Sequence, residues 1–137
     1  MNQSEQLRSK LRQATIAWVS LVFSGPIMLG AIYLAQADFE GSLPAEYELY
    51  FLVGGALSGL ASLIGYRNFR RAVQAQAANA EAYMQRMMQA MMFGMSLADI
   101  PFFIGLMGWV IGGFVRTALA LTVLTVLLQL RLKPPSA

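Results

Sequence analysis

Four long apolar runs constrain this chain more than any other feature of its sequence. Each run approaches the roughly 20 residues that an α-helix needs to cross a bilayer core of about 30 Å. Because 57% of the residues are hydrophobic and only 12% are charged, the chain has too little polar surface for an ordinary soluble domain. The sequence therefore predicts an all-α polytopic membrane protein, a single membrane-embedded helical bundle with four transmembrane helices. The predicted spans are residues 15–36, 49–66, 87–110 and 114–132, with a turn at Ile111-Gly112-Gly113.

The basic residues are distributed unevenly around these runs. Nine of the ten Lys and Arg residues precede the first run, lie between the second and third, or follow the fourth. The tenth, Arg116, lies near the outer end of the fourth run, where we expect its side chain to extend to the membrane surface. Segments rich in Lys and Arg stay in the cytoplasm. We therefore predict cytoplasmic N- and C-termini, in a bacterial inner membrane or an equivalent energy-transducing membrane.

The connection between the second and third spans, residues 67–86, is rich in Ala, Gln and Arg. These residues favour helix, so we expect the two spans to continue into the cytoplasm as a helical hairpin tip. This tip is either a solvated spacer or a docking surface for a partner subunit or for anionic lipid headgroups.

Residue types that are missing exclude several functions. The chain has no Cys and no His, which excludes thiol nucleophiles, imidazole bases and the usual zinc, haem and iron–sulfur sites. No basic face interleaved with aromatic residues suggests nucleic-acid binding. We predict that the chain has no cofactor and is not an enzyme on its own.

Small residues are concentrated in the second span. In lipid, helices approach closely where small residues let their backbones meet. A GxxxG motif and a neighbouring row at four-residue spacing predict such a contact, either within the chain or with a neighbouring subunit. The residues concerned are Gly54, Gly55, Ser58, Gly59 and Ser62.

Asp99 is the residue that most needs an explanation. Counted along residues 87–110, it lies at the middle of the third span, where an ionised carboxylate costs about 2.5–3.5 kcal/mol on insertion scales. Pro101 lacks an N–H and leaves the Leu97 carbonyl without its helical donor, so we expect that carbonyl and the Ser96 hydroxyl close to the carboxyl group. Asp99 is then either part of a proton or ion path or the acceptor of a structural interhelical hydrogen bond. For the second case, the candidate partners are Ser58, Ser62, Thr122 and Thr125.

The run from Met92 to Leu106 resembles the carboxylate-bearing helix of the proteolipid c subunit of rotary ATP synthases. In that family a helix of small residues carries a mid-membrane acid that is commonly followed by a proline. The resemblance extends to a glycine-rich helix that leads through a basic cytoplasmic connection to the acidic helix. It implies that Asp99 is a proton- or sodium-binding carboxylate, while the first and fourth spans are additional to the family's pattern.

Methionines form a second pattern. A helical stripe of them includes Met91 and Met95, and soft thioethers bind Cu(I). Met91-xxx-Met95 followed by Gly108-xxx-Gly112 resembles the signature of copper transporters, although here one span would contain both halves. Such a stripe is also an adaptable packing surface.

Three functions therefore follow from the sequence as alternatives. The first is a small subunit of a larger membrane complex or oligomer that couples protons or ions through Asp99. The second is a non-catalytic accessory or assembly subunit, and the third is a small copper transporter. In each case the expected surroundings are the lipid bilayer and other membrane subunits or further copies of the chain.

Overall fold

The computed structural model describes residues 2–35, 43–75 and 79–135, and these residues form four α-helices without any strand. The four predicted helices are thus confirmed. Helices α2 and α3 both run beyond the predicted spans into the connection between them. The helices are α1 (Gln3–Leu34), α2 (Glu46–Gln74), α3 (Ala80–Gly112) and α4 (Val115–Leu130).

Local sequence signals explain where several helices begin and end. Asn2 and Asn79 precede α1 and α3, and their side chains accept hydrogen bonds from the backbone N–H groups of Glu5 (3.0 Å) and Ala82 (2.7 Å). Gly113 ends α3 in the left-handed conformation with φ 73°, which a residue with a Cβ adopts only at a cost. The turn predicted at Ile111-Gly112-Gly113 is therefore confirmed.

Helix α3 is the centre of the bundle. It contacts the three other helices, whereas α1 packs only against α3 and α4 within the described residues. Helices α2 and α4 both pack against α3 and also contact each other. Helices α1 and α2 therefore do not contact each other within the described residues, and each packs against α3 and α4.

Two buried apolar clusters fill the bundle. The larger one, which we call the methionine cluster, lies towards the beginning of α1. A smaller cluster near the opposite end comprises Leu29, Phe102, Trp109 and Ala118. The methionine cluster comprises Leu11, Ala14, Trp18, Val22, Phe69, Met84, Met87, Met91, Met95 and Leu132.

The outer faces of the helices are apolar. Ile16 is 67% exposed, Leu60 62% and Val123 57%, and soluble proteins rarely expose large contiguous patches of such residues. Within the described residues, α1, α2 and α3 are each long and apolar enough to cross a membrane. Helix α4 has 16 residues, which is about 24 Å of helix and less than the usual bilayer core.

Candidate functional site

The carboxyl group of Asp99 is bound by a side chain of α4. Gln129 Nε2 donates a hydrogen bond of 2.6 Å to Asp99 Oδ1. Gln129 is 1% exposed, whereas Asp99 is half-buried. Gln129 is the only amide side chain in α4, and the buried hydroxyls of Thr122 and Thr125 lie on the preceding turns of the same helix.

The partners that the sequence suggested for Asp99 bond elsewhere. Ser58 and Ser62 donate to the carbonyls of Gly55 and Gly59 in their own helix, and Thr122 donates to Ala118. The buried Thr125 hydroxyl has no hydrogen-bond partner among the described residues. The sequence analysis missed Gln129, although an amide near the end of an apolar run was a usable signal.

The backbone of Gln129 has a second long-range contact. Trp18 Nε1 of α1 donates a hydrogen bond of 2.8 Å to the Gln129 carbonyl. The same carbonyl also accepts a hydrogen bond of 3.0 Å from the backbone N–H of Leu132, just beyond the end of α4 at Leu130. Gln129 therefore joins α3 through its side chain to α1 through its main chain.

Ser96, Leu97 and Pro101 surround Asp99 in sequence but do not form one site with it. The Ser96 hydroxyl is exposed and donates to the Met92 carbonyl at 2.8 Å, so it is engaged away from the carboxyl group. Pro101 is fully buried inside α3, which continues through it without a break. The Leu97 side chain lies 3.3 Å from the position that a Cβ on Gly65 would take, against α2.

Asp99 lies near the middle of α3 and at the level of the last turn of the shorter α4. It pairs with that turn, and 13 residues, about 20 Å of helix, separate it from Gly112 at the end of α3. Arg131 and Lys133 follow directly after this level and are exposed. Asp99 is therefore closer to the basic end of α4 than to its other end.

None of these basic groups forms an ion pair with Asp99. Within the part of the chain that the structure describes, Gln129 is the polar side chain in contact with the carboxyl group, and no cluster of three acidic, His or Cys residues could hold a metal ion. Arg116 is exposed at the other end of α4, beside a cavity of about 320 Å³ that Glu48 also lines. The carboxylate of Glu48 accepts a hydrogen bond of 3.0 Å from Thr117.

The small residues of α2 pack inside the chain. A Cβ on Gly55 would overlap the Leu121 side chain, and one on Gly59 would lie 3.0 Å from Leu124 Cδ2. Both glycines therefore make the α2–α4 contact of this molecule. A Cβ on Gly54, in contrast, would have no atom within 4 Å.

Met91 and Met95 lie in the methionine cluster, where they are 0% and 1% exposed. Both side chains contribute to the apolar core of one bundle end.

We expect Met91→Leu and Met95→Leu, singly and together, to leave copper binding and uptake unchanged, because these volume-conserving changes cost less than about 1.5 kcal/mol each. Copper uptake by cells and copper content of the purified chain measure this, with Met107→Leu on the exposed face as the control. Loss of copper uptake in the core variants alone would restore the transporter hypothesis.

No family model, curated protein or solved structure matches this chain.

Proposed function

We propose that this chain is a small integral subunit of a membrane complex or homo-oligomer, and that Asp99 binds and releases a proton in ion coupling. The observation that carries this proposal is the half-buried Asp99 carboxyl group with one amide donor, Gln129, and no ion-paired cation among the described residues. A single hydrogen bond compensates little of the cost of an ionised carboxylate in an apolar bundle. Proton uptake removes that charge at low cost.

In this proposal all four helices cross the membrane and both termini are cytoplasmic. The short α4 spans by local thinning of the bilayer, while Arg116 at one end and Arg131 at the other reach the two interfaces. The polar pair then lies one helical turn inside the cytoplasmic interface. Protons therefore exchange with Asp99 from the cytoplasmic side, past Arg131 and Lys133.

The resemblance of residues 92–106 to the acidic helix of the proteolipid c subunit supports the same assignment of Asp99. A proton site of that kind needs a carboxyl group with few competing donors. The pairing with Gln129, and with no other polar side chain of the described residues, satisfies that requirement.

Carbodiimide labelling tests this proposal, because the reagent modifies a protonated carboxyl group in an apolar environment. We expect Asp99 to be labelled in lipid nanodiscs, with a yield that falls as the pH rises and the carboxyl group ionises. Peptide mass spectrometry assigns the labelled residue. Exposed Glu5 and Glu81, at the first turns of α1 and α3, serve as internal controls for solvent-accessible acids. Absence of labelling at Asp99 at every pH would contradict the proposal.

An accessory role remains the second candidate, and one observation favours it. The bonds from Gln129 to Asp99 and from Trp18 to Gln129 join three helices, as expected of a structural clamp. Interhelical hydrogen bonds in membranes contribute about 0.6 kcal/mol on average and about 1.7 at most. In this case Asp99 acts only as an acceptor, and the chain supports the assembly of a larger complex.

A further inference from the structure

The contact of Trp18 with Gln129 is the specific link between α1 and α4. Three hydroxyl groups of α1, in contrast, donate to carbonyls of their own helix: Thr15 to Leu11, Ser20 to Ile16 and Ser24 to Leu21. The Trp18 indole donates across to the last turn of α4 at 2.8 Å, and its ring is part of the methionine cluster. A change in the geometry of that turn therefore acts directly on α1.

Beyond Pro26, Leu29 of α1 still packs in the small apolar cluster with Trp109 of α3 and Ala118 of α4. A cleft of about 640 Å³ lies between α1 and α4 and is lined mainly by apolar side chains, among them Leu29, Leu119 and Val126. Neither α2 nor a second layer holds α1 in place, since it packs only against α3 and α4 within the described residues. The cleft gives α1 room to shift against α4 around its buried contacts at Trp18 and Leu29.

Gln129 links this contact to the acid. Its amide donates to Asp99 Oδ1 while its carbonyl accepts from the Trp18 indole. A bond to an ionised carboxylate is stronger than one to a neutral acid, and a protonated carboxyl group also has an O–H to donate. Protonation of Asp99 therefore changes the hydrogen bonds between its carboxyl group and the Gln129 side chain at the last turn of α4.

We infer that Trp18 is a positioning residue of the Asp99 site, through which α1 shifts against α4 when Asp99 gains or loses a proton. This inference rests on the proposed proton exchange at Asp99. It adds the route of coupling, which leads from the Asp99 carboxyl group through Gln129 to α1. The exposed face of α1 is free to contact a neighbouring subunit. By thermodynamic reciprocity, a change at Trp18 also alters proton binding at Asp99.

A pH experiment must separate Asp99 from the charged and titratable groups of the neighbouring helices. The remaining described acids lie in the first turns of α1, α2 and α3. The groups towards this end of the bundle include Glu81 of α3, which lines a cavity together with Lys10 of α1. The others are Arg12 on α1, Tyr66 and Arg67 on α2, Tyr83 and Arg86 on α3, and Arg131 and Lys133 after Gln129.

Trp18 fluorescence tests the inference. The sequence has two tryptophans, so Trp109→Phe leaves Trp18 as the single reporter in the full chain. In nanodiscs we expect its emission maximum to shift with pH along one titration curve, and we expect Asp99→Asn to remove the shift. A shift that persists in Asp99→Asn would overturn the inference.

Labelling of Asp99 separates the inference from the proposed function. A constant Trp18 emission together with pH-dependent carbodiimide labelling would overturn the coupling to α1 and leave the proton site in place.

Conversely, Trp18→Phe keeps an aromatic ring but removes the N–H donor, and we expect it to displace the pH profile of Asp99 labelling. Trp109→Phe, at the other buried tryptophan, is the matched control and should leave that profile unchanged. Equal profiles in both variants would refute a positioning role for Trp18.

Discussion

Asp99→Asn is expected to abolish the proton transport that we propose for this chain and its partners, while the chain itself still inserts and folds. Asparagine keeps an oxygen that can accept the hydrogen bond from Gln129 Nε2, which is 2.6 Å long in the structure. It cannot ionise or release a proton. The substitution therefore removes the chemistry of the site and preserves most of its contact.

The measurement is proton uptake into vesicles reconstituted with the assembly that co-purifies with the chain in mild detergent. We expect uptake to fall to the level of empty vesicles. Glu48→Gln is the matched control, because Glu48 is also a carboxylate that accepts a hydrogen bond from a side chain of α4, that of Thr117. Proton uptake should be retained in this control, because Glu48 of α2 contacts the end of α4 that lies opposite to Gln129.

Normal uptake by the Asp99→Asn assembly would exclude the coupling role and favour the accessory one. In that case Asp99→Leu should still weaken the assembly, because leucine offers no acceptor to the buried Gln129 amide. An unpaired buried amide costs about 1–3 kcal/mol. The two substitutions thus distinguish an acid that titrates from an acid that only accepts a hydrogen bond.

Gly65→Ala is expected to destabilise the bundle more than Gly54→Ala in the same helix. A Cβ on Gly65 would lie 2.7 Å from the Gly94 Cα of α3, which is a contact with backbone. Rotation of a side chain cannot relieve it, so the two helices must move apart. Overpacking of this kind costs about 1–3 kcal/mol, even though alanine is the better helix former by about 1 kcal/mol.

Gly54→Ala is the matched control, because a Cβ there would meet no atom within 4 Å. We expect this variant to be as stable as the wild type or slightly more stable. Thermal unfolding in detergent, or unfolding with increasing SDS, measures the difference between the two variants. Equal stabilities would mean that α2 and α3 do not cross at Gly65 and Gly94.

The packing of Gly55 and Gly59 also changes how assembly experiments are interpreted. Because both glycines contact α4 of the same molecule, replacing them by leucine disrupts the chain's own fold. Loss of co-purification in such variants would not identify a subunit interface. A substitution at Gly54, where a Cβ would meet no atom within 4 Å, tests for contact with a neighbouring subunit without disrupting the α2–α4 packing.

Much of the fold could be predicted from local features of the sequence. Apolar runs near 20 residues long predict helices, and Gly112-Gly113 marks the turn because only a residue without a Cβ adopts a positive φ freely. The extension of α2 and α3 into residues 67–86 was also predicted, because Ala, Gln and Arg favour helix. Hydropathy alone did not predict that α1 begins at Gln3, because the polar residues before the first span favour helix without being apolar.

The candidate site could be predicted only in part. Asp99 is conspicuous because an acid in an apolar run is costly wherever the run folds. Its partner could not be derived from the sequence, because α2 and α4 offer several hydroxyl and amide side chains that helix packing could direct at it. Gln129 is the partner because the Gly113 turn aligns the last turn of α4 with the middle of α3.

The sequence by itself determined that this chain forms apolar helices, where they turn and which residue carries an unusual charge, since these follow from local composition and backbone preference. Only the tertiary structure decided that Gln129 meets Asp99, that Trp18 joins them to α1, and that Gly55 and Gly59 pack within the molecule. The physical reason is that these contacts depend on the register and rotation of one helix against another. Close packing of side chains 30 to 111 positions apart sets both.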